Sequence, residues 1–175
     1  EDESLEHYDP VKFTSVVSQV VEQVNASKVL IGATTMGKDL GPRLAAELEW
    51  GYLGDCLEAG NDGFVRPNFA GKVLAKSNPK RPVVASIRNN AYPAGESWSG
   101  SVENFAGSIP ESALNTNSIE NIGTGTVELT EANIVVSGGR GLESSENYDS
   151  HIRPLAELMG AAAGASRAIV DAGWV

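Results

Sequence analysis

The first part of the chain shows a helical hydrophobic pattern followed by a strand-like one. Between Asp9 and Asn25, apolar residues recur at helical spacing and predict an amphipathic helix with one apolar stripe: Phe13, Val16, Val17, Val20, Val21 and Val24. Asp9 suits the N-cap, Pro10 suits the first helical position, and Asn25 is predicted to end the helix. The continuous apolar run KVLIGAT (28–34) predicts a strand buried on both faces of a parallel sheet.

A second helix is predicted to follow this strand. Gly37-Lys38-Asp39 leads into LGPRLAAELE (40–49), which has the composition of a helix. Helix, strand and helix in this order are typical of an α/β fold. We therefore predict an α/β fold with a parallel sheet for the first part of the chain.

The pattern changes between residues 64 and 92. FVRPNFAG, GKVLAK and PVVASIRNNAY are short, β-rich segments interrupted by proline and glycine. They predict strands or hairpins, and antiparallel strands at an edge of the sheet are one alternative. Residues 93–122, rich in Ser, Asn and Gly, predict a loop with little core of its own. We place the domain boundary there, with one domain at 1–122 and a second at 123–175.

The second domain is predicted to begin with a strand in VELTEANIVVSGG (127–139) and to continue with a helix in ENYDSHIRPLAELM (146–159). The pattern after this helix leaves two alternatives. Either the helix continues, or it is followed by a buried strand of small residues, GAAAGAS (160–166). Gly160 and Gly164 each disfavour a helix by roughly 1 kcal/mol relative to alanine, but the period alone does not decide between the two.

Composition and charge exclude some classes of protein. The 175 residues carry a formal net charge of −10, which argues against nucleic acid or an anionic membrane as partner. No apolar run approaches the roughly 20 residues of a membrane-spanning helix.

A single cysteine, Cys56, allows no internal disulfide, fits a reducing compartment and is interpreted as a packing residue. With only His7 and His151 beside it, no spacing for a structural zinc site is present. Because the chain opens with an acidic stretch at Glu1, we expect no signal peptide. Because its first residue is not methionine and Val175 ends it without a polar tail, we expect a piece of a longer chain.

The stretch VVSGGRGL (135–142) is the first candidate for chemistry. A strand that ends in Gly138-Gly139 and turns into a helix places backbone N–H groups where a ligand can reach them. The dinucleotide fingerprint matches only in part, since Gly139 and Gly141 agree while the third position is Ser144. The alternative is that the glycines serve only a tight turn.

The second candidate is GASRAIVDAG (164–173), in which small residues surround Ser166 and Arg167. On a continued helix, these two residues form an exposed face. If GAAAGAS is a strand, both lie at its carboxyl end, as Arg140 does for its own strand. Ligands of open α/β sheets bind beyond those ends, so the two arginines then converge on one site. Ser137 lacks the context of a nucleophile elbow, and no other catalytic grouping is found.

These stretches resemble the alpha subunit of electron-transfer flavoprotein. The resemblance is carried by GATTMGKDLGPRLAAELE (32–49), by FVRPNFAGKVLAK with VVASIRNNAY, and by VVSGGRGL with GAAAGASRAIVDAGW. Arg88 stands where the family often has an arginine followed by proline, but Asn89 follows it here. The resemblance implies a Rossmann-like domain that lacks its first units, followed by the opening βαβ portion of an FAD-binding domain, with GAAAGAS as a strand.

The resemblance also implies the site residues. Arg140 matches the arginine of the family's SGGRG turn, and Ser166 and Arg167 match the serine and arginine of its GASR motif, all three as contacts to FAD. A guanidinium keeps its charge at any workable pH and stabilises negative charge on a reduced flavin ring. A serine hydroxyl adds one hydrogen bond. We expect that this portion of the subunit alone does not retain FAD, since most phosphate contacts lie in segments after Val175.

The implied function is that of an electron carrier and not of an enzyme with its own substrate. By resemblance, the subunit pairs with a beta subunit, accepts electrons from dehydrogenases such as acyl-CoA dehydrogenases, and passes them to a membrane-bound quinone oxidoreductase. One alternative is a related carrier in a specialised pathway, such as nitrogen fixation or carnitine reduction. Another is a nucleotide-binding or interaction module without a redox role. The expected compartment is the bacterial cytoplasm, with the mitochondrial matrix as the alternative.

Overall fold

The structure, a computed structural model, describes residues 2–95, 99–120, 129 and 132–175. The chain divides into two compact units, Glu1–Ile119 and Glu120–Val175. Each unit contains parallel strands and helices, so the predicted α/β class is confirmed.

The first helix begins and ends where its sequence signals predict. A short 3₁₀ turn at Glu3–Leu5 precedes helix α1, Pro10–Gln23. The Asp9 carboxylate accepts hydrogen bonds from the backbone N–H groups of Val11 (2.8 Å) and Lys12 (3.2 Å), which satisfies two donors that the first turn leaves free. After the helix, Asn25 adopts a left-handed conformation with φ of 49°. The predicted cap and end of this helix are therefore confirmed.

The first unit is built on a three-stranded parallel sheet in the order β1-β6-β2. These strands are β1 (Lys28–Gly32), β2 (Gly51–Cys56) and β6 (Val83–Ile87). The prediction that β1 is buried on both faces is wrong, because its residues alternate between exposed and half-buried. The fully buried strand is β6, whose first four residues are all inaccessible. The reason is topological: within the described residues β6 has a strand on each side, whereas β1 pairs only with β6.

Helix α2, Thr35–Glu47, covers one face of this sheet and begins earlier than its composition predicts. The side chain of Thr34 accepts a hydrogen bond from the Gly37 N–H at 3.1 Å and so starts the helix ahead of the glycine. Gly37 cannot carry a side chain there, since a Cβ would lie 1.9 Å from the Gly32 carbonyl oxygen. The core beneath the helix combines buried residues from α2 and β6: Leu44, Ala45 and Val84.

A second, antiparallel sheet in the order β3-β4-β5 adjoins β2. It comprises β3 (Glu58–Gly60), β4 (Gly63–Asn68) and β5 (Val73–Ser77). The antiparallel alternative is confirmed for residues 64–77, but it is wrong for 83–87, which form the central strand of the parallel sheet. Burial explains this placement. Strand β6 carries no charged residue, so it can lie buried between the two strands β1 and β2. Phe64 of β4 joins the core with Cys56, Val83 and Ala85.

The predicted loop contains no helix or strand at residues 93–95 and 99–120. Part of it is fixed on α1 through Gln19. The Gln19 amide donates to the Ser108 carbonyl (2.8 Å) and accepts from the Ser108 N–H (2.9 Å). The Gln19 side-chain amide thus pairs with both backbone groups of Ser108, as a neighbouring strand would. These two hydrogen bonds attach the segment around Ser108 to α1, although the segment has no regular structure of its own.

The second unit contains a two-stranded parallel sheet of β7 (Val135–Gly138) and β8 (Ala162–Ala165), paired from Val135–Ala162 to Gly138–Ala165. The strand alternative for GAAAGAS is therefore confirmed. The predicted strand at 127–139 begins only at Val135, and residues 127, 128, 130 and 131 lie outside the described part of the chain.

The helical crossover between these strands is composite. After a 3₁₀ turn at Arg140–Leu142 come α3 (Ser145–Asn147), a π-helical turn (Tyr148–Ile152) and α4 (Arg153–Met159); a short helix α5 (Arg167–Val170) follows β8. The π turn lies where Pro154 lacks an N–H and would crowd the carbonyl four residues earlier. It keeps three buried side chains on the sheet side: Tyr148, Ile152 and Ala156.

Candidate functional site

The site residues predicted in the second unit follow the carboxyl ends of two adjacent parallel strands. Strand β7 ends at Gly138 and β8 ends at Ala165, and these two residues are register partners. The Ser166 N–H donates to the Gly138 carbonyl at 2.9 Å. A Cβ on Gly139 would lie 3.4 Å from the Ser166 hydroxyl oxygen, so the two turns run side by side. This is the edge of a parallel sheet at which α/β proteins bind their ligands.

The polar groups at this edge are exposed and largely unused by the described chain. Arg140 is exposed, and it forms no ion pair with any carboxylate of the described residues. The hydroxyl of Ser166 does not cap helix α5. The side chain of Arg167 is 92% exposed, and its Nε lies 3.3 Å from Asp171 in an i,i+4 pair, which contributes little when exposed to water. Two cations and one hydroxyl are therefore available to a ligand.

The glycines of this turn differ in what they do. A Cβ on Gly138 would lie 2.5 Å from Leu142 and 3.0 Å from Tyr148, so packing alone requires glycine there. At Gly141, no heavy atom lies within 4 Å of such a Cβ, and its φ is not positive. Packing explains the first of these glycines, and neither packing nor a positive φ explains the second. Bare backbone beside Arg140 fits a ligand that approaches the chain closely, as the flat ring or phosphates of a dinucleotide do.

Behind this edge, a buried tyrosine ties the crossover to the sheet. Tyr148 is 1% exposed and its hydroxyl donates to the Gly164 carbonyl at 3.2 Å. The guanidinium of Arg153 lies 5.5 Å from the centre of the same ring. The side chains of Ile152 and Ile169 complete this small core. The turn that carries Arg140 is thus supported by this small, packed core.

Sequence reasoning missed a hydrogen bond that holds this turn. The amide of Asn147 donates from Nδ2 to the Leu142 carbonyl at 2.7 Å, and the Asn147 N–H donates to the Ser144 hydroxyl at 3.2 Å. The spacing of Ser144 and Asn147 is the available signal, because serine three residues before such a helix position is a common N-cap arrangement.

The corresponding edge of the first unit has a different arrangement. Arg88, just after β6, donates to both carboxylate oxygens of Asp55, at 3.0 Å from Nε and 2.5 Å from Nη2. These hydrogen bonds lower the pKa of the Asp55 carboxyl and raise that of Arg88. The buried hydroxyl of Ser86 accepts from the Asp55 N–H at 2.9 Å and lies 3.1 Å from the Tyr52 hydroxyl. The polar groups at this edge satisfy one another.

The described residues offer no other chemical centre of the kinds considered from sequence. Cys56 is fully buried in the core, and burial raises the pKa of its thiol, which confirms its interpretation as a packing residue. Across the described ranges, no group of three or more His, Cys, Asp or Glu side chains is placed to hold a metal ion. A search of the same residues finds no helix with the length and apolar character needed to cross a membrane.

Comparison with known proteins agrees with this geometry. Residues 1–115 match the family described as electron transfer flavoprotein domain, and residues 128–175 match the electron transfer flavoprotein FAD-binding domain. The two matches place the chain in a class of α/β flavoproteins, and its second unit corresponds to the FAD-binding domain of that class. Within that class, the chain belongs to the electron transfer flavoprotein family, and it matches the alpha subunits of that family.

Three relatives illustrate the similarity. The electron transfer flavoprotein subunit alpha of Bacillus subtilis is 37% identical over 99% of this chain and 56% of its own length. A probable mitochondrial subunit alpha of Caenorhabditis elegans is 34% identical, over 100% of this chain and 54% of its own length. Protein FixB of Clostridium saccharobutylicum is 32% identical, over 100% of this chain and 56% of its own length. The chain thus spans about half the length of the curated relatives it matches.

Proposed function

We propose that the second unit contributes part of an FAD site, with Arg140, Ser166 and Arg167 as the contacts from this chain. The observation that supports this proposal is the pair of adjacent strand ends, where the donors of Arg140 and Ser166 are unused within the described residues and Arg167 has only a long, exposed pair, beside the bare backbone of Gly141. The match of residues 128–175 to an FAD-binding domain agrees with it. The residues present fit the cofactor, because two permanent cations and a hydroxyl suit an electron-rich, anionic group.

The chemistry of FAD, when it is bound, is the reversible uptake of one or two electrons by its ring. In this proposal, the side chains of the chain bind and bias that ring. A guanidinium offers a flat surface that stacks on an aromatic system and a charge that no working pH removes. The hydroxyl of Ser166 donates one hydrogen bond, worth about 1 kcal/mol. Two arginines at one edge therefore favour the reduced, more negative cofactor over the oxidised one.

We propose further that the whole subunit is an electron carrier and not an enzyme with its own substrate. In this proposal it pairs with a beta subunit, accepts electrons from flavin dehydrogenases such as acyl-CoA dehydrogenases, and delivers them to a membrane-bound quinone oxidoreductase. The first unit serves as scaffold, in keeping with the mutual pairing of Arg88 and Asp55 at its strand ends. The proposed compartment is the bacterial cytoplasm, with the mitochondrial matrix as the alternative, since relatives from both groups are found.

We propose that residues 1–175 alone do not retain FAD. Three side chains of this chain reach the proposed site, Arg140, Ser166 and Arg167, and all three are exposed to water. Exposed cations lose much of their attraction for an anion to solvent screening.

The direct test is the full-length alpha subunit co-expressed with a beta subunit. The purified heterodimer should be yellow, with the absorption of bound flavin. Arg140→Met and Arg167→Ala should each raise the dissociation constant of FAD and lower its one-electron reduction potential by tens of millivolts, where about 59 mV corresponds to tenfold. Arg43→Met is the matched control, because Arg43 forms an exposed i,i+4 pair with Asp39 in the first unit, as Arg167 does with Asp171, and carries no proposed role. A colourless heterodimer would support the module without a redox role and defeat the proposal.

The second candidate is a carrier of the same kind that serves a specialised pathway. Similarity to Protein FixB of Clostridium saccharobutylicum and of Azotobacter vinelandii favours keeping this candidate, at 32% and 34% identity. The two candidates share the FAD site and differ in the electron donor. Stopped-flow reduction of the heterodimer by a purified acyl-CoA dehydrogenase distinguishes them, because only the first candidate predicts rapid reduction at micromolar concentrations.

A further inference from the structure

The turn that carries Arg140 is held at both ends, and one of the two attachments is a single side chain. At its start, the turn continues directly from β7, whose last residue accepts from the Ser166 N–H. At its end, the carbonyl of Leu142 receives two donors, the Ser144 N–H at 2.8 Å and the Asn147 amide at 2.7 Å. Both lone pairs of this oxygen are then occupied.

This second attachment matters because the backbone just after the turn is strained. Glu143 has φ of 67°, the left-handed conformation that costs a non-glycine residue on the order of 1 kcal/mol. Such a conformation persists only where neighbouring contacts impose it. The turn's own bonds, from Leu142 N to the Gly139 carbonyl and from Glu143 N to the Arg140 carbonyl, are both 3.0 Å long. The Asn147 amide adds a shorter bond from outside the turn.

Asn147 is itself fixed to the base of the unit. Its N–H donates to the Ser144 hydroxyl at 3.2 Å, and its carbonyl lies 2.9 Å from Nδ1 of His151. The next residue, Tyr148, is buried and bonded to the Gly164 carbonyl of β8. A continuous series of contacts thus runs from the sheet through Tyr148 and Asn147 to the Leu142 carbonyl, two residues from Arg140.

We propose that Asn147 is the positioning residue for Arg140. Its amide holds the Leu142 carbonyl, and this fixes where the guanidinium stands relative to a ligand at the ends of β7 and β8. The inference rests on the proposed function, since it assigns Arg140 to the cofactor. The attraction between a charge and a bound ring depends on the distance between them. A displacement of the charged group by about 1 Å, when its supporting contacts are lost, therefore removes much of this attraction.

The test uses the full-length alpha subunit in its heterodimer. Asn147→Asp keeps the size of the side chain but replaces the donor with an oxygen that repels the Leu142 carbonyl. The dissociation constant of FAD should rise about three- to tenfold, the range expected for one hydrogen bond. The one-electron reduction potential should fall in the same direction as in Arg140→Met. Ser145→Asp is the control for charge, because it adds the same negative charge two residues away and the Ser145 side chain makes no hydrogen bond within the described residues.

A double-mutant cycle separates positioning from folding. If Asn147 acts through Arg140, Asn147→Asp should change neither FAD binding nor the potential once Arg140 is methionine. Asn147→Gln, which restores an N–H donor on a longer side chain, should recover part of the lost affinity. Should the aspartate variant not fold, Asn147→Ala is measured with the same two readouts.

The outcomes are distinct. Wild-type affinity and potential in a folded Asn147→Asp heterodimer, together with a clear loss in Arg140→Met, would overturn this inference and leave the proposed site intact. An equal effect of Asn147→Asp in the Arg140→Met background would also overturn it, because the loss would then not pass through the arginine. No effect of Arg140→Met itself would remove both the inference and the assignment of Arg140 on which it rests.

Discussion

The two units of this chain use the same edge of a parallel sheet in opposite ways. In the first, Arg88 and Asp55 extend from the ends of β6 and β2 and bind each other through two hydrogen bonds. In the second, Arg140 and Arg167 extend from the ends of β7 and β8, and the described residues offer only a long, exposed pair between Arg167 and Asp171. One edge is complete without a ligand, and the other leaves cationic groups available.

This difference teaches that the position of an arginine at a strand end does not by itself define a ligand site. Arg88 occupies such a position, and its charge is neutralised within its own unit. What distinguishes the second edge is the bare backbone of Gly141 together with donors that the described residues leave unused or only weakly paired. A ligand site is indicated where polar groups at a strand end have no hydrogen-bond or ion-pair partner within the folded chain.

The largest expected effect comes from glycine. Gly37→Ala should destabilise the first unit by about 3 kcal/mol or more, because its Cβ would lie 1.9 Å from a backbone oxygen that cannot move aside. Gly141→Ala is the matched change at the other edge, and it should alter stability by less than about 0.5 kcal/mol, since its Cβ meets open space. Chemical denaturation of the chain measures both. If Gly141→Ala is as damaging as Gly37→Ala, packing explains both glycines and the comparison fails.

The next effect concerns the buried support of the complete edge. Ser86→Ala should cost about 1–3 kcal/mol, because it leaves the Asp55 N–H without its acceptor beneath the Asp55–Arg88 pair. Amide hydrogen exchange should show faster exchange in β2 and β6 while β7 and β8 keep wild-type protection. Ser166→Ala is the matched variant of the open edge, and it should leave both units unchanged because its hydroxyl makes no bond within the described chain.

A smaller effect separates the two arginines. Arg88→Met should lower the unfolding free energy by up to about 1 kcal/mol, the usual range for a partly exposed pair, because it leaves Asp55 unpaired. Arg140→Met should not change the stability of the chain without cofactor, since Arg140 has no ion-pair partner within the described ranges. Thermal unfolding followed by circular dichroism compares the variants. Equal losses from both would mean that Arg140 has a structural role as well.

The smallest effect is the dependence of stability on pH. The hydrogen bonds from Arg88 hold the pKa of Asp55 below its unfolded value near 4. The stabilisation is therefore fully present above that unfolded value and is lost as the pH falls through the lower, folded pKa. Wild type should lose stability in this acidic window, and Asp55→Asn should lose less over the same range. Identical acid profiles for the two proteins would show that the pair does not contribute.

Local patterns predicted the elements whose causes are local. The cap by Asp9, the proline at the start of α1 and the left-handed Asn25 at its end all lie within a few residues of the contacts that they control. The end of β7 was also predictable, because the Gly138-Gly139 turn interrupts a hydrophobic run there and places Arg140 beyond that end. The local pattern left GAAAGAS open between helix and strand, so the position of Arg167 beyond the end of β8 came from the family resemblance and the structure.

Longer-range features were not predictable from any local pattern. The apolar run of β1 has the composition of a buried strand, but strand order places it beside β6 alone within the described chain. The segment at 83–87 follows a hairpin in the sequence and nevertheless inserts as the central parallel strand. Strand order is set by how the whole unit buries its apolar area, and no window of residues contains that information.

What the sequence determined by itself is therefore the α/β class, the first helix with its caps and the turn after β7, because spacing, caps and glycines act over short distances. The tertiary structure alone decided which residues at the strand ends satisfy one another. Asp55 lies 33 residues from Arg88 along the chain and still neutralises it, whereas Arg140 has no such partner in the described ranges. Hydrogen bonds and ion pairs act through space, so only the folded chain shows which polar groups remain for a ligand.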